Sequence, residues 1–558
     1  MVKPEIWPVD AHIKVFKDTE PENPRDLMLE GVKNEYIPGQ FAIRSEEPIE
    51  ITIETETLTH LDTGFQIPIQ WNFVGFVPIR TNTPGQRRCD DRDTPLEDLI
   101  RKAPCEIPDP LLEVSTIPLK ADVTQPVWLT IFVPKDAPAG AYKGRVEVKG
   151  ETESLGGLDV RLEVYPVTLP DERHLKITNW FGDHSGLDDI DRFHKVVMWS
   201  EDFWRIIRAY ARNMAEHRQN VIPTDLKGGF SDRRLIRVFQ GEGDKLRFDF
   251  ERFDRWVETF MSEGVKDYIE GAHIALHAWQ EADWHLPEYT ILNSDGTIAR
   301  IVPEQDALSP ESQAFLSQYL PALQKHLEEK GWVDIYLQHV GDEPTPRDVE
   351  KWKKLSELVR KLAPKLKIID AIQTTEAVGY IDIWVPILHV FDQNMSFFEE
   401  RKKAGDEVWF YTCCAPTGKY PNRFLDFSLV KVRIIHWMNF KYETAGFLHW
   451  GYNAWTKNPF RDTEPGGLPP GDAFIVYPGR NGPLNSIRWE MVREGIEDYE
   501  LLWLLSQKHE GKEEAMNICN SLIRGITDYE KDPKKLEDAR RRIIKAVSYT
   551  HLTLPTKA

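Results

Sequence analysis

The segment Ile335-Tyr-Leu-Gln-His-Val-Gly-Asp-Glu-Pro344 ends an apolar run at Gly341 and follows it at once with two acids, Asp342 and Glu343. Thr345 is placed to cap a helix, with Pro346 at its first position and Asp348 nearby. That grammar puts both carboxylates on a short turn between a strand and a helix. A double-displacement glycosidase needs its nucleophile and its acid ~5 Å apart across the anomeric carbon, usually on different strands. Neighbours on one turn fit that poorly. They fit a scheme in which a substrate's own 2-acetamido oxygen attacks the anomeric carbon. Glu343 would then protonate the leaving oxygen, while Asp342 orients the acetamido N–H and stabilises the developing positive charge. An ionised Asp342 repels a second negative charge on Glu343, so the acid stays protonated near neutral pH. The plainer alternative is that both acids only favour a helix N-terminus electrostatically.

Other residues suit a sugar platform. The chain has 18 Trp, 17 Tyr and 26 Phe, and flat aromatic faces stack either in a core or on pyranose C–H surfaces. Trp450, Tyr452, Asn453 and Trp455 follow an apolar run at Gly446-Phe-Leu-His449, with Asn453 able to bond hydroxyls. Tyr411 ends another such run and is placed to hydrogen-bond an acetamido carbonyl. Trp180 ends a third, and His277, Trp279 and Trp284 follow a fourth. His339 alternates with Ile335 and Leu337, the position of a satisfied interior histidine, and His449 is similarly ambiguous. Cys413 and Cys414 are adjacent and read as packed thiols, because no base is evident beside them. Arg488, Glu490, Arg493, Glu494 and Asp498 lie on one helical pattern, where intrahelical ion pairs are the default.

The elements that must position these groups are read from hydrophobic period. From about Phe41 to Pro170 the pattern is strand-like. Ile49-Glu-Ile-Thr-Ile-Glu-Thr alternates, and Val127–Val133, Tyr142–Lys149 and Leu158–Val164 are further strands broken by Pro/Gly turns. This predicts an N-terminal antiparallel β-sandwich over residues 1–170, with the charged stretch Gln86–Arg101 as a loop. After Leu175 the pattern alternates strand and helix. Strands are expected at 175–180, 220–224, 268–274, 335–340, 367–371, 381–385, 408–412 and 446–450, with helical stripes between them and a long helix carrying Ile487 to Trp503. Eight βα units predict a (β/α)8 TIM barrel over 171–510, whose chemistry lies at the C-terminal tips of its strands. Residues 511–546 read as a helical segment. Residues 547–558 break its charged pattern and resemble the translation of a sequencing adapter, the alternative being a disordered tail.

Composition excludes several classes. Acidic residues number 90 and basic ones 70, a formal charge of −20, which disfavours nucleic acid and anionic membrane as partners. No apolar run reaches the ~20 residues of a membrane helix. The start Met1-Val2-Lys3-Pro4-Glu5 has no signal-peptide pattern, so a cytoplasmic location is expected. There is no HExxH, phosphate-cradling glycine loop or dinucleotide fingerprint, and the five cysteines form no metal set, so no metal or cofactor is expected.

Gly341-Asp-Glu-Pro344 resembles the catalytic signature of glycoside hydrolase family 123. So do Gly446–Trp455, Tyr477-Pro-Gly479 and the segment Ser486–Tyr499. The resemblance covers nearly the whole chain, sandwich first and barrel second. It implies a retaining β-N-acetylgalactosaminidase using substrate-assisted catalysis on a carbohydrate with terminal β-linked GalNAc, with Asp342 and Glu343 in the roles above. Two alternatives stay open: a glycosidase for another sugar, which needs a second carboxylate such as Asp225 or Glu281, and a non-catalytic carbohydrate-binding protein.

Overall fold

The computed structural model describes residues 3–83, 98–181, 187–226, 230–231, 233–277 and 283–549. Its N-terminal part is two packed β-sheets. One has the order Glu5–Val9, Glu35–Arg44, Gln125–Val133, Gln70–Ile79, Cys105–Leu112. The other runs Leu27–Lys33, Ser154–Thr168, Gly140–Lys149, Ile49–Thr55, Thr116–Leu119, with two short strands alongside. Alternation puts Ile51, Ile53, Val146, Val148, Val160 and Leu162 inward, where they meet Phe41, Ile43, Val127 and Leu129 in one apolar core. The expected antiparallel pairing holds with one exception. Leu27–Lys33 runs parallel to Ser154–Thr168, a strand far along the chain rather than one joined to it by a hairpin.

The second part is α/β. Its parallel strands are Lys176–Asn179, Val221–Pro223, Tyr268–Glu270, Tyr336–Gln338, Lys367–Ile372, Ile383–Pro386, a seventh interrupted at Trp409 (Glu407–Val408 and Phe410–Thr412), and Gly446–His449. They match the eight segments expected from the apolar runs. The backbone bonds, however, form two ladders rather than one continuous ring. The second to seventh strands make one ladder, and the first, eighth and seventh make the other. Between the first and second strands a side chain does the joining: Asn220 Oδ1 accepts from the Ile177 N–H at 2.8 Å. Helices Glu201–Glu216, Glu251–Glu263, Pro310–Lys330, Val349–Leu362 and Leu429–Lys441 cover the sheet. Two small sheets between residues 237 and 306, one mixed and one antiparallel, are not evident in the hydrophobic period.

The last long helix, Ile487–Ser506, is buried on almost every face. Its charges therefore do not stay within the helix as expected. Only Arg493 pairs intrahelically, with Glu490. Arg488 makes a bidentate bond to Asp109 of the N-terminal sheets at 2.9 Å on each arm, and Asp498 receives Arg433 at 2.7 and 2.9 Å. Arg218 reaches Glu497 at 3.2 Å. One apolar cluster runs from Val74, Ile107 and Trp128 of the first sheet through Ile487 and Trp489 into the α/β core. The C-terminal segment is a helix (Gly511–Leu522), a short hairpin and a helix (Pro533–Tyr549). That final helix continues past the break expected at Ala546, with Val547 buried; residues 550–558 lie outside the described residues.

Candidate active site

The fourth strand ends and the chain turns within a few residues. Gly341 sits where a Cβ would fall 2.6 Å from the Trp284 ring, so only glycine lets the turn approach that buried indole. The next two residues are Asp342 and Glu343. Glu343 takes a left-handed conformation, φ 55°, uncommon outside glycine. Its N–H donates to Ala371 O at 3.0 Å and Gln373 N–H donates to Pro344 O at 3.0 Å, so the fifth strand holds the turn from the side. The strain of that conformation is offset by these bonds. Beyond it the expected helix starts later than Thr345. Asp348 instead folds back to accept from Thr345 N–H at 2.8 Å and Thr345 Oγ1 at 3.1 Å, and the helix begins at Val349.

Three strand tips close on this turn. From the seventh, the Tyr411 hydroxyl donates to Glu343 Oε1. Tyr411 is buried, and burial first, then the Glu343 charge, pushes its pKa well up, so it remains a donor. From beyond the third strand, His273 Nε2 faces Asp342 Oδ1 at 4.0 Å, while its Nδ1 donates to Leu226 O at 2.6 Å. From the first, Trp180 lies edge-on to His273 with ring centroids 5.4 Å apart. Asp342 keeps 29% of its side chain exposed, so the turn opens to solvent above this buried floor.

Beneath it is a polar chain with no solvent contact. His339 Nδ1 lies 2.8 Å from Asp370 Oδ1 and its Nε2 lies 2.8 Å from Glu270 Oε1. Glu270 also accepts from Trp180 Nε1 at 3.0 Å and from Thr178 Oγ1. Asp370 Oδ2 accepts from Val340 N–H at 3.0 Å, Gly341 N–H at 3.2 Å and Trp352 Nε1 at 2.9 Å. Burial opposes a charge on His339, but the bonds to Asp370 and Glu270 overcome it and raise the ring to about 10. Burial also raises Asp370, against the pull of His339. His339 is thus the satisfied interior histidine its alternation suggests.

The residues singled out in the sequence divide in two. Trp180, Tyr411 and Trp450 share one cluster at the strand tips with Leu448 and Cys413. Trp450 is partly exposed and donates from Nε1 to Asp472 Oδ2 at 3.1 Å. Tyr452, Asn453 and Trp455 turn away, contrary to their expected role as platform. Tyr452 is fully buried with its hydroxyl on Asn213 Oδ1 at 2.8 Å, and Trp455 packs on Phe193 with its indole N–H on Val476 O at 2.8 Å. Asn453 is fully buried, its main chain bridged to Phe474. The loop after the eighth strand folds inward against the segment 472–476, and its aromatics fill core. His277 also serves structure: it pairs with Asp348 at 3.0 Å and packs on Trp284. Trp279 and Glu281 lie outside the described residues. Asp225, the other candidate carboxylate, is held by Arg234 at 3.0 and 3.1 Å.

His449 Nδ1 accepts from Arg423 at 2.7 Å and Gly451 N–H at 3.0 Å, and burial beside Arg423 and Arg488 keeps it neutral. The Cys413 and Cys414 sulfurs are 3.9 Å apart, and their mutual contact and burial push the Cys413 thiol well up, away from nucleophilic use. Donor atoms of His273, His339 and Asp370 lie within 4.8 Å of one another, the kind of grouping that can hold a metal. Both ring nitrogens of His339 are occupied by carboxylates and Nδ1 of His273 by a carbonyl, which leaves that set poorly fitted to an ion. His273, Glu270 and Asp370 were not singled out from the sequence. The two acids interrupt otherwise apolar strands, and that was the available signal.

The family model "Glycoside hydrolase 123, catalytic domain" matches residues 186–505, and "Glycoside hydrolase 123 N-terminal domain" matches residues 9–150. This chain belongs to glycoside hydrolase family 123. Among solved structures, a family 123 glycoside hydrolase from Clostridium perfringens, studied for glycolipid glycan hydrolysis, aligns over 98% of this chain and 97% of its own, with TM-score 0.74 and 18% identity. That level of identity supports a shared fold. A family 39 glycoside hydrolase from Bacteroides cellulosilyticus aligns over 85% and 82% of the two chains, at TM-score 0.35 and 12% identity, too distant to inform the site. No curated protein sequence matches the chain. As a family 123 member the protein is a glycoside hydrolase.

Proposed function

We propose that this family 123 chain is a retaining exo-glycosidase that releases terminal β-linked N-acetylgalactosamine from glycans or glycoconjugates, with the substrate's 2-acetamido group as nucleophile. The observation that carries the reading is the adjacency of Asp342 and Glu343 on one pinned turn, with Tyr411 bonded to Glu343. In the proposed reaction Glu343 gives its proton to the glycosidic oxygen as the bond to the anomeric carbon breaks. The acetamido carbonyl oxygen forms the new bond at that carbon, giving an oxazolinium ion. Asp342 accepts the acetamido N–H and offsets the positive charge. Water, deprotonated by Glu343, then opens the ring with net retention. Tyr411 holds the carboxyl of Glu343 in place before substrate arrives, and Trp450 supplies the aromatic face. Asp225 is an unsuitable second carboxylate because Arg234 already occupies both its oxygens.

The test is hydrolysis of chromogenic β-GalNAc, β-GlcNAc and plain β-galactoside, with an amino-sugar thiazoline as inhibitor. Cleavage of β-GalNAc with thiazoline inhibition supports the reading; equal cleavage of β-galactoside overturns it. Glu343→Gln should lose most activity on poor leaving groups, and Asp342→Asn on all of them.

A further inference from the structure

Glu270, His339 and Asp370 are used by nothing in the proposed reaction, yet they are the most completely bonded polar group behind it. They come from the third, fourth and fifth strands, and all three are fully buried. A neutral imidazole donates from one nitrogen only, whereas here both nitrogens face a carboxylate oxygen at 2.8 Å. The ring is positioned as a doubly donating cation. Its partner Asp370 is also the acceptor for the N–H groups of Val340 and Gly341, the two residues immediately before Asp342. Its other partner, Glu270, anchors Trp180 under the opening.

We propose that Glu270, His339 and Asp370 form a positioning relay: a histidinium clamped between two buried carboxylates, which fixes the backbone entering the Asp342–Glu343 turn and sets the charge behind it. The inference rests on the reading of Asp342 and Glu343 as the reacting pair. Glu270 and Asp370 bond the ring directly, and the His273 ring packs against it at a tilt of 36°, with centroids 4.5 Å apart. His273 in turn faces Asp342 at 4.0 Å. Beyond lie Glu343, Tyr411 and the Cys413 and Cys414 thiols, and the neighbouring Trp180 and Thr178 carry no charge. Among these groups the ring is the one cation the geometry supplies. Two carboxylates without it would crowd negative charge behind two more, which opposes ionisation of Asp342.

His339→Gln tests this on the full chain. Loss of the cation moves both limbs of the pH profile of kcat to higher pH, by roughly half a unit or more, and lowers kcat about 10-fold or more with KM within about 3-fold. A variant that is folded by circular dichroism but keeps the wild-type profile overturns the relay, because a purely structural role lowers activity without moving the limbs. If the variant does not fold, the wild type decides through nitrogen NMR of 15N-histidine-labelled protein at pH 8. One ring should show both nitrogens protonated, and Trp352→Phe, which removes a donor to Asp370, should shift that signal. Neutral rings throughout overturn the proposal. Glu343→Gln and Asp342→Asn, run in parallel, separate the two ideas: wild-type rates there sink the reading of the pair, while their loss alongside an unmoved His339→Gln profile sinks the relay alone.

Discussion

Tyr411, on the seventh strand, donates its hydroxyl hydrogen to Oε1 of Glu343, on the turn after the fourth. A tyrosine from another strand therefore fixes the carboxyl that the proposed reaction uses as its acid. The turn and the tyrosine meet because the seventh strand pairs with the sixth through the Ile387–Tyr411 bridge, and the fifth strand holds Glu343 by its main chain.

Tyr411→Phe removes that bond and nothing of the packing body. A kcat about 10-fold lower or more is expected, with KM little changed and thermal stability near wild type. Steady-state kinetics on chromogenic β-GalNAc at the wild-type optimum checks this, and an unaltered kcat refutes it.

Gly341→Ala places a methyl 2.6 Å from the Trp284 ring, with backbone on one side and a buried indole on the other. Overpacking of this kind costs about 1–3 kcal/mol. Urea unfolding should show that loss, and activity should fall with it because Asp342 and Glu343 ride on the displaced turn. Gly341→Ala with wild-type stability would mean the indole yields freely.

Asp109→Ala leaves Arg488 a buried cation without its bidentate partner, and both side chains are fully buried. Breaking such a pair costs about 3–5 kcal/mol. Calorimetry should register the loss as a lower Tm for the whole chain, since the pair joins the N-terminal sheets to the helix Ile487–Ser506. A drop confined to one of two separate transitions would contradict that coupling.

Acid should destabilise the protein in two steps. Burial holds His436 down at about 4, and burial with Arg205 does the same to His194. A depressed folded-state pKa contributes stability above the ordinary value of 6.5, lost as pH falls towards 4. Glu490, held at about 2 chiefly by Arg493 against its burial, adds a loss between 4.5 and 2. Glu497 works the other way: burial raises it to about 7, so its contribution is present below 4.5 and fades as pH rises through 7. Between pH 6.5 and pH 4, melting temperatures of His436→Gln should therefore change less steeply in the destabilising direction than those of the wild type. An equally steep curve in the variant assigns the effect elsewhere.

The strands of the α/β domain were legible because each is a short apolar run, and the acid pair was legible because it breaks one such run at its tip. Tyr411 and Trp180 were legible by the same rule. Tyr452 and Trp455 were not, since a loop that bends inward and one that bends outward have the same composition; the decision is made by contacts with Asn213 and the segment at 472–476. Glu270 and Asp370 escaped notice because their partners lie on other strands. The charges of the last helix misled for a related reason. Spacing along a helix suggests neighbours on its own surface, but this helix has almost no free surface, so Arg488 and Asp498 answer residues far away in the chain.

The burial of that helix has an architectural consequence. A domain that finishes its core with another domain's carboxylate is not an interchangeable cassette. Asp109 and the apolar sheet around it complete the packing of Ile487–Ser506, so the N-terminal sheets act as a scaffold for the α/β domain. Exchanging the front half for one without that carboxylate would leave an arginine stranded in the interior of the back half.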